Sequence, residues 1–538
     1  MMMDFLRIGE LQKEFEILKQ KIENLEKSKN ICDIDENSVG GTENVCRIDV
    51  DSRIFDWCQP PNRNKSTSGT GTGFVIQEHR EKEDEIIIVT AHHVVSDGIE
   101  IKVNFNKISS DDIPAKIIGC NPEMDIAILC VKVDDDLKKQ ITGFKLGDSD
   151  HVDALKKVKA MGFALGKPHL QITAGVISGR ISKPSRLQID VAVNPGNSGG
   201  PLLDMSNNVV GVVTSGISDA QGINYAAPIN ESIIMIKRML KESIPKVSKS
   251  LTAAGAFFDR IPSLNAKFTK ANKVLLRCIP DNDKNCHGIY CTAVHHEIEY
   301  PQTLEACMKN LESYHDLRQK LESKLVNESL EYGMSKSTWQ TLLSKYFTMP
   351  DTLEFLSRIR NETIQKGDII LSIIVNGKEY SIDNQMNAKF DFWNDNILFT
   401  SILDRLAIGD MIQFKIYRKN CDAQKCFKII QHFLHENKNV CRELYSDTEE
   451  VPYLSLAGLF TMPLLLNHMN IFKKQNMYDL MNTPMAPHTS MLLVTHILPE
   501  SPFKEEKTVG IGDIIVGINN QKVRTIYQLE KMWQPISK

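Results

Sequence analysis

The chain of 538 residues carries 64 Lys+Arg against 68 Asp+Glu, a formal net charge of −4. That balance excludes the strongly basic surface of a dedicated nucleic-acid binder. With 42% hydrophobic and 25% charged residues, wholesale disorder and fibrous repeats are excluded as well. The length implies about three or four domains. Twelve cysteines without a C-x-x-C pair are too few for a disulfide scaffold. The N-terminal Met1-Met-Met-Asp-Phe-Leu-Arg-Ile carries charges where a signal peptide needs an apolar stretch, and no run approaches about 18 apolar residues. The expectation is a soluble, cytoplasmic protein of a reducing compartment without a membrane span, nuclear or organellar placement staying open.

Along residues 1–30, Ile8, Leu11, Phe15, Leu18, Ile22 and Leu25 alternate gaps of three and four, the seam of a heptad flanked by Glu14, Lys19, Lys21 and Glu26. A self-associating coiled-coil helix is expected there, with an amphipathic helix lying on its own chain as the alternative. Residues 31–44 are polar and read as a linker. From 45 to 245 short β-rich runs such as Ile86-Ile-Ile-Val-Thr, Ile126-Ala-Ile-Leu-Cys-Val and Val209-Val-Gly-Val-Val-Thr are separated by Gly, Asn and Asp, which predicts a mainly β barrel or sandwich. Residues 250–440 mix textures and contain a Leu- and Met-bearing helical insertion near 303–347. Within this region Gly367-Asp-Ile-Ile-Leu-Ser-Ile is echoed 145 residues later by Gly512-Asp-Ile-Ile-Val-Gly-Ile. Each copy leads into a turn suited to a hairpin, Val375-Asn-Gly-Lys and Ile518-Asn-Asn-Gln, so two related small domains are expected, the second over 450–538.

The segment richest in chemistry is Asn194-Pro-Gly-Asn-Ser-Gly-Gly-Pro201. A serine on a Gly-rich turn presents its hydroxyl while neighbouring amides point at one spot, where they can hold the charge that grows on a carbonyl oxygen. Serine alone is a poor nucleophile and needs a histidine base and an orienting carboxylate. Candidates lie upstream in β-context, Thr90-Ala-His-His-Val-Val95 and Met124-Asp-Ile-Ala-Ile-Leu129. The order His, Asp, Ser is that of the chymotrypsin arrangement, unlike subtilisins or α/β-hydrolases. An Asp followed by Ile-Ala-Ile-Leu is better placed for burial than Asp97, Asp111 or Asp148 in polar turns.

These residues resemble the HtrA/Deg family of trypsin-like serine proteases, across about 160 residues and in the family's order. Gly71-Thr-Gly-Phe-Val-Ile resembles its first-barrel strand, and Thr90-x-x-His93-Val-Val its histidine motif. Asp125-Ile-Ala-Ile-Leu resembles its aspartate strand, with Leu146-Gly-Asp-Ser-Asp150 in the segment after it. Gly162-Phe-Ala-Leu-Gly166, Thr173-Ala-Gly-Val-Ile-Ser-Gly179, Gly196-Asn-Ser-Gly-Gly-Pro-Leu and Gly222-Ile-Asn-Tyr-Ala-Ala-Pro-Ile match the later segments. The resemblance implies a chymotrypsin-like double β-barrel followed by two PDZ-like α+β domains. It implies catalytic His93, Asp125 and Ser198, with His93 preferred over the adjacent His92. It also implies an oxyanion hole at Gly196, Asn197 and Ser198, a primary pocket at Ala192, Thr214, Ser215 and Gly216, no cofactor, protein or peptide substrates, and a homo-oligomer, by family habit a trimer.

Digestive proteases of this fold carry Asp before the serine and pair it with a freshly cut N-terminus; Asn197 cannot form that ion pair. Zymogen cleavage is therefore not expected, and Ser38-Val-Gly-Gly-Thr-Glu, although it resembles an activation junction, reads as linker. At the pocket floor Ala192 offers no carboxylate, so a small or medium aliphatic residue is expected before the cut, with Asp190 nearby.

The echoed segments resemble PDZ modules, which accept an extended peptide on a sheet edge. In the C-terminal one Ala457, Gly458, Leu459 and Phe460 resemble the carboxylate-binding loop, and Val523-Arg-Thr-Ile-Tyr-Gln-Leu the flanking helix. Together with Gly162-Phe-Ala-Leu-Gly this is most similar to the plant-type Deg branch. The chain stops at Lys538 just after that helix, so a last strand is not expected. In the first module Ser263-Leu-Asn265 replaces a family glycine and the insertion interrupts the strands, which suits assembly better than peptide capture. His287, His295, His296, Cys286 and Cys291 meet no metal-ligand spacing.

Overall fold

A computed structural model describes residues 40–240, 257–270, 288–294, 364–434, 441–472 and 490–532, short interior stretches excepted. The expected coiled coil, most of the linker and the 303–347 insertion lie outside the described residues.

The first six strands, β1 (Val45–Arg53), β2 (Ser66–Val75), β3 (Glu85–Thr90), β4 (Gly98–Asn104), β5 (Ile113–Asn121) and β6 (Ile126–Lys132), run in the order β5-β4-β1-β2-β3-β6. Pairing of β5 with β6 closes them into a barrel. A second closed barrel follows, β7 (Lys157–Gly162), β8 (Gln171–Ser182), β9 (Ser185–Ile189), β10 (Pro201–Leu203), β11 (Val209–Gly216) and β12 (Asn224–Pro228). This is the chymotrypsin-like double barrel that the short β runs and motif order imply.

The unbroken apolar runs in β3 and β6 have a packing reason. In β3, Ile86 and Ile88 point into the first barrel's core, whereas Ile87 and Val89 join a separate core between the barrels. β6 divides likewise, Leu129 and Val131 inward, Ile126 and Ile128 outward. A strand buried on both faces loses the alternation of a half-exposed one. The inter-barrel core also takes Phe163 and Leu203 from the second barrel and Met235, Ile236 and Met239 from the helix that follows it, Ile229–Leu240. Fully burying such a side chain contributes about 1.5–3 kcal/mol, so this seam fixes how the barrels meet.

Two smaller β modules follow. The first contains β13 (Ala266–Lys270), β14 (Ile289–Val294), β15 (Ile369–Val375), β16 (Lys378–Ser381), β17 (Met411–Tyr417) and β18 (Phe427–Phe433). Its sheet runs β13-β14-β15-β17-β18, with β16 paired off β15. The second is the sheet β19 (Leu454–Leu456), β20 (Leu459–Pro463), β21 (Leu492–Ile497) and β22 (Ile514–Ile515), with a helix over Ile526–Met532. The echoed segments share one hydrogen-bond pattern. Gly367 donates its N–H to Cys291 and Cys291 donates to Asp368; Gly512 donates to Val494 and Val494 to Asp513. The Asp side chains cap the residue three earlier, Gln365 and Gly510. Both following turns, Asn376-Gly377 and Asn519-Asn520, have positive φ at each central residue and close two-residue hairpins. Cys291 itself is buried in the first module's apolar core, and among the described residues no side-chain cluster could hold a metal.

Candidate active site

His93 sits on a single helical turn, α1 (His92–Val95), that leaves the end of β3. Asp125 closes the tight turn between β5 and β6 at φ 57°, where Asn121 Oδ1 accepts the Met124 N–H at 2.9 Å and the Asp125 N–H donates to Pro122 O at 3.1 Å. The two elements meet through two hydrogen bonds. His93 N donates to Asp125 Oδ1 at 2.9 Å, and His93 Nδ1 lies 2.7 Å from Oδ2. One carboxylate thus fixes both the backbone and the ring. With Nδ1 donating, the neutral imidazole keeps its lone pair on Nε2. Burial alone would lower the pKa of His93, but the hydrogen bond and charge of Asp125 outweigh it, and the net shift is upward.

His92 is engaged elsewhere. It is 6% exposed, its Nε2 lies 2.8 Å from Asp447 Oδ2, and its ring stands edge-on to Tyr445. Of the two adjacent histidines, His93 is the one that meets a carboxylate of the barrels.

The Ser198 turn is held at the barrel junction by both sides. Thr72 of β2 donates its N–H to Ser198 O at 2.9 Å and its hydroxyl to Gly196 O at 2.6 Å, while that hydroxyl accepts the Phe163 N–H at 3.0 Å. The next residue, Gly199, packs so closely that an added Cβ would lie 2.2 Å from Thr90 Oγ1 and 2.8 Å from Ala91 N, two residues before His93. The Ser198 hydroxyl donates to Thr214 O at 2.9 Å, and among the described residues no hydrogen bond joins it to His93. Engaging His93 therefore requires giving up one hydrogen bond, a net term of about 1 kcal/mol.

Pro195 O accepts the Leu165 N–H at 2.5 Å. In a planar trans peptide the C=O and the next N–H point opposite ways, so this bond turns the Gly196 N–H away from Leu165. Gly196 has φ 99°, and a Cβ on it would meet Phe163 O at 2.3 Å, so only glycine fits. Asn197 is buried, donates its N–H to Asn194 O at 3.0 Å, and leaves Oδ1 without a partner among the described residues. An aspartate there would bury an unpaired charge.

At the expected pocket, Ala192 is exposed, and its carbonyl accepts the Thr173 hydroxyl at 3.1 Å. Asp190 does not stand free beside it: Oδ1 accepts the Val176 N–H at 2.6 Å. Thr214 is buried with its hydroxyl on Tyr225 O at 3.1 Å, and Gly216 pairs with Asn224. The side chain of Ser215 lies outside the described residues. In the C-terminal module Ala457 and Gly458 form the two-residue turn between β19 and β20, Ser501 Oγ donates to Ala457 O at 2.7 Å, and Leu459 and Phe460 begin β20. The edge of β20 next to the turn is occupied by β19. Sequence reasoning did not single out Thr72 or Leu165; the Gly-x-Gly frame around Thr72 and the Gly162–Gly166 motif are where their signal lay.

A double barrel with a histidine–carboxylate pair and a Gly-framed serine at its joint defines the serine-peptidase class. Residues 71–212 match the trypsin-like peptidase domain family. Over 197 residues the chain is 34% identical to a probable periplasmic serine endoprotease DegP-like of Pseudomonas putida (strain W619), covering 35% of this chain and 38% of the relative. It is 33% identical over 187 residues to the putative serine protease HhoB of Synechocystis, covering 33% of this chain and 42% of that protein. It is 29% identical over 238 residues to the serine protease Do-like HtrA of Bacillus subtilis, covering 41% of this chain and 50% of that one. The chain thus spans half or less of these relatives' lengths. A solved structure described as the HtrA-type protease AlgW with tripeptide aligns at TM-score 0.44 with 17% identity, covering 74% of this chain and 95% of its own.

Proposed function

We propose that the chain is a serine endopeptidase of HtrA/Deg type that cleaves protein chains through an acyl-enzyme. His93 removes the proton from Ser198 Oγ as that oxygen attacks the peptide carbonyl; Asp125 holds the ring and stabilises the imidazolium; the same proton then passes to the leaving amine, and water hydrolyses the ester. The N–H groups of Gly196 and Ser198, with Asn197 between them, receive the oxyanion. The observation that carries the reading is the two-point grip of Asp125 on His93 beside the Ser198 turn. No step calls on a cofactor.

Unfolded or damaged proteins are the substrates this reading favours. Cleavage after a small or medium aliphatic residue is in keeping with Ala192, since a desolvated Lys or Arg would lack a partner there, Asp190 being tied to β8. Assembly into a homo-oligomer, a trimer by family habit, and peptide capture by the C-terminal module at an edge other than that of β20, which is paired on both sides, complete the proposal. Among the described residues no helix is long and apolar enough to cross a membrane. A fluorophosphonate probe followed by peptide mapping tests the core of it: the label should fall on Ser198, and Ser198→Ala should end casein cleavage. A correctly folded chain that takes no label and leaves casein intact would instead be a binding scaffold.

A further inference from the structure

Two of the described segments beyond the barrels return to the first barrel close to the His93–Asp125 pair. Phe257–Phe258 adds a short parallel strand to β5, after which Asp259 donates its N–H to Cys120 O at 2.8 Å and Ile261 donates to Glu123 Oε2 at 2.7 Å. Asn121, Glu123 and Met124 belong to the turn that ends in Asp125, so this return grips the carboxylate's loop from outside. The second return is residues 441–449. Tyr445 packs against the first barrel's core, to which Val95 of α1 belongs, and stands edge-on to His92; Asp447 meets His92, and Ser446 donates its hydroxyl to Asp97 Oδ1 at 3.2 Å. His92 and Asp97 bracket His93. Glu449 ties the two returns together, pairing with Arg260 from the first and with Arg442 at 2.7 Å from its own turn. It also accepts the Tyr445 N–H at 3.2 Å, which fixes the shape of the turn.

We propose that the Arg442–Glu449 turn is a positioning clamp on the His93–Asp125 pair, so that catalysis depends on the chain between the two PDZ-like modules being docked. The inference rests on the peptidase reading above. Its physical content is small in distance and large in effect. Neither Asp447 nor Tyr445 touches a reacting atom, but α1 is a single turn, too short to hold its own direction. Without the His92 anchor the turn that carries the imidazole is held only by Asp125 and by the packing of Val94 and Val95, and a displacement of about 1 Å can cost on the order of a hundredfold in rate. Asp447, Tyr445 and Ser446 are therefore positioning residues.

The test uses the full chain with fluorescein-labelled casein, and Ser198 labelling as the independent check on the parent reading. Asp447→Ala and His92→Ala should each lower kcat about tenfold with KM unchanged, and the double variant should be no worse than either single, because both remove the same contact. Asp447→Asn, which can still accept a hydrogen bond, should recover most of the kcat lost in Asp447→Ala. Asn394→Ala removes an inter-domain bond to Asp153 on the other barrel and should leave kcat unchanged. If Asp447→Ala does not fold, Ser446→Ala carries the same expectation at about threefold. A wild-type chain labelled on Ser198 whose single variants keep full kcat, or whose losses multiply in the double variant, overturns the clamp alone. A wild-type chain that takes no label overturns the peptidase reading and the clamp with it.

Discussion

The backbone N–H of Leu165 donates to the carbonyl of Pro195 across 2.5 Å, and this one bond sets the direction of the Gly196 amide. Leu165 accepts φ 57° to make it, a left-handed conformation that costs a leucine roughly 1–2 kcal/mol. The sequence after Gly162 is thereby bound to the chemistry of the Ser198 turn. Gly196→Ala should collapse this arrangement, since its Cβ would lie 2.3 Å from Phe163 O. We expect kcat for casein to fall by about a hundredfold or more, the usual loss of an oxyanion donor, with KM little changed. Unchanged steady-state kinetics would refute this role for the Gly196 amide.

Asp125→Asn should reduce kcat by about ten-thousandfold, as loss of the orienting carboxylate leaves the ring in the wrong tautomer. The pH profile adds a signed expectation. The base must be neutral, so activity rises as pH passes upward through the pKa of His93, which Asp125 holds above the ordinary 6.5. In the variant that support is gone and burial alone acts, so the acidic limb should move to lower pH. The stabilising His93–Asp125 attraction has the opposite window: fully present below about 6.5, it is lost as pH rises through the elevated value. An acidic limb that does not move between wild type and variant would contradict the assignment of His93.

Ala192→Asp should place a carboxylate at the floor of the proposed primary pocket and shift preference toward Lys or Arg before the cut. Mass spectrometry of casein fragments reads the change directly. Because Asp190 is held by the Val176 N–H, it does not already supply that charge in the wild type. Wild-type cleavage confined to Lys and Arg sites would show that the pocket is built from other residues.

His468 links stability to pH in the C-terminal module. Burial lowers its pKa to about 4, the Trp57 backbone opposing in part, and Nδ1 accepts the Leu465 N–H at 3.1 Å. The unfolded chain binds the proton near 6.5, so the contribution is complete above that pH and is lost as pH falls toward 4, up to roughly 3 kcal/mol. The ring stands edge-on to Trp57 of the peptidase domain, 6.0 Å between centroids, so this docking should loosen in acid. Thermal unfolding at pH 5 and pH 7.5 should show a smaller difference for His468→Phe than for wild type; equal differences would remove His468 from the explanation.

Much of the barrel architecture was legible because its signals are local. Runs such as Ile86–Thr90 and Ile126–Val131 are continuous where two cores lie on either side, and the Gly-Asp turns of the repeated segments impose the same hydrogen bonds wherever they occur. His93 and Asp125 could be paired from motif order. What could not be read is contact between distant segments. Nothing in Tyr445-Ser-Asp447 distinguishes it from an ordinary polar turn, and its partners stand about 350 positions earlier. The turn at Ala457–Phe460 illustrates the same limit, since a Gly-containing loop motif does not reveal that the chain's own Leu454–Leu456 lies along the neighbouring strand.

The pairing of Arg260 with Glu449 closes a loop of 189 residues, with the whole first PDZ-like module inside it. Loops of that span assemble late, because their closing contacts are far apart along the chain. During synthesis, therefore, both barrels can be complete while the residues that pack against His92 and Asp97 are not yet translated. A nascent chain halted before Glu449 would carry every residue of the candidate triad and still lack its outer support, so under the proposed clamp cutting would begin only after the newly made protein has cleared most of its length.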